Sequence, residues 1–347
     1  MLEPWDMHVH VRQGEMLDAV LPFTSNICAG ALFMPNTKPP IATGDDALRY
    51  KSEIMKVIND PQFTPIVAIK MLPTTTPETI YDAHEKGLKV VKLYPKGVTT
   101  HSDDGIDDYV KLMPVLKAME EVGMVLSIHG ELPSTPNVFT WERNFQNVAS
   151  LLLSKFPDLR IVLEHITLGE TAFFVSDMSK KGCKIAATIT AHHLASDVDD
   201  MLAYGLNPAL YCKPILKFPK DKWDLRDAAM SGEECFFFGS DSAPHTAETK
   251  YCECGCAGAF TAPFAIPLLA KIFYEADKIE MLENFTSVFG PKFYGFEPSS
   301  FNVILSQQKN IVPEFYQLTQ NIKVVPPYGG IDLGWQVYGV DVVWNQI

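Results

Sequence analysis

The chain has 347 residues, 47% hydrophobic and 20% charged, the composition of a folded globular protein rather than a disordered chain or a coiled coil. Its 29 Lys and Arg against 42 Asp and Glu leave a formal charge of −13, which argues against a partner held through a phosphate backbone. No twenty-residue apolar run offers a membrane span and no positive region opens a secretory signal; the odd count of seven scattered cysteines fits free thiols in a reducing cytoplasm.

Short apolar, β-branched runs recur between stretches of helical character. The first predicted strand covers 5–11 and the second 30–34, followed by Thr43 ahead of Asp45 and Asp46, a helix start. A third strand over 65–71 leads to Thr76 and Pro77, a cap and a first-turn proline. Strands over 88–93, 124–129 and 160–165 come next, and Thr167 with Glu170 then spells a capping box. Strands over 183–188 and 235–239 complete the set, with Ser196 before Asp197 and Asp199 as a further helix start. Eight strands alternating with helices imply parallel pairing and right-handed crossovers, which close naturally into an α/β fold of the (β/α)8 TIM-barrel type. An open doubly wound sheet is the alternative, but no glycine-rich phosphate loop follows any strand. Residues 1–297 are expected to form the barrel and 298–347 a C-terminal extension packed on it.

Ionisable residues fall at the ends of these strands. His8 and His10 stand two apart on the first, where alternation puts both on one face, here the barrel interior. Lys92, His129 and His165 lie at the ends of three later strands, and Asp241 follows the last. The C-terminal strand ends of a barrel meet at one mouth, so six potential ligands converge. Any one of these histidines reads equally well as a hydrogen-bonded core residue, but the set is better explained by a divalent metal. Lys92 is costly there as an ammonium, so it is neutral or modified, unless it pairs with a nearby carboxylate; a neutral amine can add carbon dioxide and become a bridging carbamate. Arg12, on the same face two residues past His10, suits an anionic ligand through its fork. Cys252, Cys254 and Cys256 alternate along a loop without the spacing or fourth ligand of a structural zinc site, and His192 and His193 read as supporting or surface residues.

Six blocks carry a family resemblance: Asp6-Met7-His8-Val9-His10-Val11-Arg12, Met34-Pro35-Asn36, Lys92-Leu93-Tyr94-Pro95, Ile128-His129-Gly130-Glu131, Leu163-Glu164-His165 and Gly239-Ser240-Asp241-Ser242-Ala243-Pro244-His245. In content and order they resemble the compact bacterial dihydroorotases of the amidohydrolase superfamily. The resemblance implies a cytoplasmic hydrolase, expected as a homodimer, that interconverts N-carbamoyl-L-aspartate and L-dihydroorotate in pyrimidine biosynthesis. It implies two zinc ions per chain, one on His8, His10 and Asp241 and one on His129 and His165, bridged by carboxylated Lys92. A bridging hydroxide would attack and Asp241 would shuttle its proton. Arg12, Asn36 and His245 match the clamp on the substrate carboxylate, Leu210 and Ala257 match backbone contacts to the ring, and Thr99 and Thr100 match a loop that closes on substrate. Gln13-Gly14 departs from the Asp-Gly that many relatives carry, and Ser240 stands where Thr is common. A hydantoinase-like hydrolase would share the metals but lack the carboxylate clamp, and a non-catalytic barrel would have no reason to keep every ligand.

Overall fold

The computed structural model describes residues 1–58, 60–99, 102–253 and 255–339. Strands β1 (Trp5–Val9), β2 (Gly30–Phe33), β3 (Thr64–Val67), β4 (Ile69–Lys70), β5 (Val90–Leu93), β6 (Val125–His129), β7 (Arg160–Glu164), β8 (Ile185–Ile189) and β9 (Phe236–Phe238) pair in parallel, in the orders β1-β2-β3 and β4-β5-β6-β7-β8-β9. β3 and β4 are the single run expected over 65–71, interrupted at Ala68. The Ala68 N–H still donates to Phe33 O at 3.1 Å, and the next two residues pair with β5, so one stave changes neighbours and eight staves remain. The two edges meet where β9 ends: His10 N–H donates to Ser242 O at 2.9 Å and Asp241 N–H to His8 O at 2.8 Å. A closed (β/α)8 barrel results.

Nearly every strand residue is buried, because the helices cover the outer face and side chains fill the inside, which explains strands that read as continuous apolar runs. Helix Gly44–Val57 begins with the Thr43–Asp46 capping box and helix Pro77–Glu85 with a Thr76 cap, as their sequences require. Two helix starts differ from expectation. Helix Gly169–Lys180 follows Leu168 with no side-chain cap; Thr167 and Leu168 instead donate their N–H groups to the buried carboxylate of Glu142, from the preceding helix Trp141–Lys155. Glu170 is free to pair with Arg143 on the surface. Asp197, rather than Ser196, caps the Val198–Leu202 helix, since its carboxylate reaches Asp199 N at 3.0 Å and leaves the Ser196 hydroxyl for Tyr328.

After the largely buried helix Ala265–Glu275, β10 (Val303–Gln307) pairs antiparallel with β13 (Trp335–Gly339), and β11 (Tyr316–Gln317) with β12 (Lys323–Val324). Glu3 N–H donates to Phe301 O at 3.0 Å and Val303 N–H to Met1 O at 2.8 Å, so the residues ahead of β1 hold this segment. No helix among the described residues is long and apolar enough to cross a membrane.

Candidate active site

The C-terminal strand ends collect the residues picked out by type and position. The His8 and His10 rings lie 5.3 Å apart by centroid, His8 and His165 4.9 Å, and His129 and His165 4.7 Å. Asp241 Oδ1 is 3.2 Å from His10 Nε2 and 3.4 Å from His8 Nε2. Lys92 reaches up from β5, wholly buried, with its Nζ 5.2 Å from the Tyr94 ring centroid. Among the described residues only four non-glycine positions have positive φ, and three of them, Arg12 (62°), His165 (41°) and Asp241 (45°), belong to this cluster. Such strain persists where the surroundings impose it, and here it turns each side chain at the strand end toward the mouth.

Two carboxylates that sequence reasoning left without a role orient the imidazoles. Glu164 Oε2 lies 2.8 Å from His8 Nδ1 and accepts the Thr188 hydroxyl at 2.6 Å, while Ser127 donates to its other oxygen. Glu131 Oε2 lies 2.8 Å from His129 Nε2. Each pairing keeps a proton on one ring nitrogen and turns the lone pair of the other into the site. A carboxylate inside an apolar strand or just past its end, one or two residues from a predicted ligand, was the available signal. Asp6 plays a backbone part, accepting Ser240 N–H at 2.8 Å and so fixing the turn that presents Asp241.

Charge in the cluster follows burial and partners. Burial holds His10 down at about 4, and also lowers His129 and His165, so the three are neutral imidazoles at pH 7. Burial works to raise the Asp241 carboxyl, but the His10 hydrogen bond and the nearby imidazoles outweigh it and keep it ionised. Burial brings the Lys92 amine down to about 8 against the pull of Glu164 and Asp241. His8 Nε2, His10 Nδ1, His165 Nδ1 and Lys92 Nζ are all buried without a hydrogen-bond partner. Four unsatisfied nitrogens buried in one side-chain cluster are costly in a folded interior unless something binds them, and neutral imidazoles with an ionised carboxylate form a donor set suited to zinc.

A small cavity of about 20 Å³ opens on the cluster, lined by His10, Arg12, Asn36, Thr99, Asp241 and Ala257 among others. Arg12 donates from Nε to Pro244 O at 3.0 Å, and its Nη2 lies 3.0 Å from His245 Nε2. Leu210 does not line the cavity; it packs in a small apolar cluster with Val198, Met201, Cys212 and Leu216, while Lys213, three residues on, reaches the wall. Thr99 lies at the wall and Thr100 outside the described residues. His192 and His193 are buried rather than on the surface. With Cys212 they form a second tight group, but His193 already bonds Thr190 Oγ1 at 2.8 Å and Pro214 O at 3.2 Å, the pattern of a structural histidine. Cys252 is exposed and free, Cys256 half-buried and free, and Cys254 lies outside the described residues. A larger open groove between helices Gly169–Lys180 and Pro219–Met230 contains none of the cluster.

A closed barrel whose mouth gathers histidines, a lysine and an aspartate defines an amidohydrolase-type protein. The L-hydantoinase of Arthrobacter aurescens shares this fold, with a TM-score of 0.81 at 16% identity over 96% of this chain and 82% of that one. No protein-family model matches the chain. The chain does, however, match the dihydroorotase of Vibrio vulnificus (strain CMCP6) with 42% identity over 337 residues, 96% of this chain and 97% of that protein. The dihydroorotase of Saccharomyces cerevisiae, solved in complex with 5-fluoroorotic acid, superposes with a TM-score of 0.92 at 37% identity, covering 97% of each chain. The chain belongs to the dihydroorotase family.

Proposed function

We propose that this protein interconverts N-carbamoyl-L-aspartate and L-dihydroorotate using two zinc ions at the barrel mouth. One observation carries the reading: His10, His129, His165 and Asp241 line one cavity together with Arg12 and Asn36, and Arg12 in turn lies 3.0 Å from His245, so a reacting centre and an anion cradle lie side by side. His8, His10 and Asp241 would hold one ion, His129 and His165 the other, with carboxylated Lys92 between them. The neutral Lys92 amine gains this group by forming an N–C bond to carbon dioxide and losing one proton; counted from the ammonium form two protons leave, and a buried cation becomes an anion. When bound, the ions would polarise a carbonyl oxygen and lower the pKa of a water molecule so that it attacks at neutral pH. Asp241, ionised and beside the imidazoles, accepts the proton of the attacking water and hands it to the departing ring nitrogen. Arg12, Asn36 and His245 hold the substrate carboxylate, and Ala257 closes the cradle. A hydantoinase-like substrate, which lacks that carboxylate, would leave the half-buried Arg12 guanidinium without an anion to hold. The cytoplasmic location and the homodimer implied by the resemblance belong to the same proposal.

The test is elemental analysis with a turnover assay. Protein prepared with zinc and bicarbonate should hold close to two ions per chain and hydrolyse L-dihydroorotate; a fully active sample with one ion would remove the second site and the bridge. Because the Lys92 pKa is lowered to about 8, its reactive neutral form rises from about 3% at pH 6.5 to about 75% at pH 8.5. Reconstitution of metal-free protein at fixed dissolved carbon dioxide should therefore be roughly 25-fold faster at the higher pH. A rate independent of pH would exclude the lysine amine as the group that reacts.

Thr99 is assigned to ligand contact from the loop after β5. Its N–H donates to Ser102 Oγ at 3.0 Å, and Ser102 Oγ donates to Thr99 O at 2.6 Å, so a small internal network shapes the loop. Asp104, farther along, pairs with the buried Lys70 on β4. Thr99→Ala should lower kcat about tenfold with both metals retained, as loss of one hydroxyl donor predicts. Wild-type kcat and KM in that variant would make the segment a connection only.

A further inference from the structure

Lys250 ends the short Ala247–Lys250 helix beyond His245, and its side chain turns inward; the residue is only 4% exposed. Its ammonium meets three backbone carbonyls: Tyr211 O at 2.6 Å, Gly258 O at 2.7 Å and Cys256 O at 3.0 Å. An ammonium has three hydrogens, so the cage uses all of them. Tyr211 O also accepts the Gly258 N–H at 2.9 Å, and one cation thus joins two segments more than forty residues apart. Both segments reach the cavity, the first through Lys213 and the second through Ala257 and Gly258.

The second segment is pressed against the anion cradle. Gly258 has φ 146°, and a Cβ there would lie 2.8 Å from Ala243 O and 3.0 Å from His245 Cδ2. Ala257 O lies 3.0 Å from His245 Nε2, the atom that also faces Arg12. Burial brings the Lys250 amine down to about 8, so the fold holds a cation where an apolar side chain would avoid the desolvation cost. Three charge-assisted bonds fix where the neighbouring peptide groups point, which a methionine could not do.

We propose that Lys250 is a positioning residue for the substrate carboxylate: it locks residues 256–258 and 211–213 together so that their backbone, Arg12 and His245 face a single anion. The proposal rests on the reading above and concerns binding rather than bond breaking, since Lys250 hydrogen-bonds to none of His8, His10, Lys92, His129, His165 and Asp241.

Lys250→Met keeps the length and removes the donors. It should raise KM for L-dihydroorotate about 10- to 100-fold, the scale on which residues that orient ligand-binding groups act, with kcat within about threefold of wild type and metal content unchanged. Lys250→Gln, which retains two N–H donors, should fall between. Calorimetry with two probes then separates positioning from a loosened fold. Orotate, which carries the carboxylate, should lose affinity in step with KM, whereas dihydrouracil, the ring without it, should bind wild type and variants alike. Unchanged KM, a fall in kcat alone, equal losses for both probes, or insolubility of both variants would each overturn the proposal. If the wild-type protein does not turn over L-dihydroorotate, the catalytic reading fails by itself, and the two-probe comparison still decides Lys250.

Discussion

Lys92→Ala should lose both metals and lower turnover by at least about 10⁴-fold, equivalent to roughly 5 kcal/mol of transition-state stabilisation. Among the described residues, Lys92 is the one wholly buried lysine at the cluster whose Nζ has no hydrogen-bond partner. The nearest alternative anion, Glu164, is held by His8, Ser127 and Thr188 and has no freedom to bridge. Removing the lysine leaves two groups of imidazoles with Asp241 as the sole carboxylate among the proposed ligands, too little negative charge for two divalent ions. A short carboxylic acid added to the variant should enter the vacated space and restore part of both metal content and rate. The measurement is elemental analysis with kcat, with and without acetate. A variant with wild-type metal content and turnover would remove carbamylation from the mechanism.

Asp241→Ala and Arg12→Lys should separate chemistry from clamping. Asp241 accepts from His10 and sits at the strained exit of β9, where the Asp6–Ser240 bonds hold it; its loss should lower kcat by at least about 10³-fold, because it removes a metal ligand and the proton acceptor together. Arg12→Lys keeps the charge but loses the fork and the Nε bond to Pro244 O, so KM should rise about 10- to 100-fold, or about 1.4–2.8 kcal/mol, with kcat changed far less. Steady-state kinetics on L-dihydroorotate reads both. If Arg12→Lys binds and turns over substrate as wild type does, the carboxylate sits elsewhere.

The sequence by itself named the residues that cluster at the barrel mouth. Period-2 alternation put His8 and His10 on one face, and strand ends named Lys92, His129, His165 and Asp241, because side-chain direction in a strand is a local property that each run carries within itself. Local caps were legible for the same reason at Thr43 and Thr76. Other features depend on groups brought together across the fold. Glu164 meets His8 from 156 residues away and Ser240 meets Asp6 from 234, pairings fixed only when β9 closes against β1 and sets the register around the barrel. Arg12, His165 and Asp241 also take positive φ at the barrel mouth, which no residue preference predicts for an arginine. Tertiary packing also decides that Glu142 rather than a local box satisfies the start of helix Gly169–Lys180, and that Lys213 rather than Leu210 reaches the cavity. Periodicity fixes which way a side chain points along its own strand; what it meets there is set by strands far away in sequence, and that is where the tertiary structure was needed.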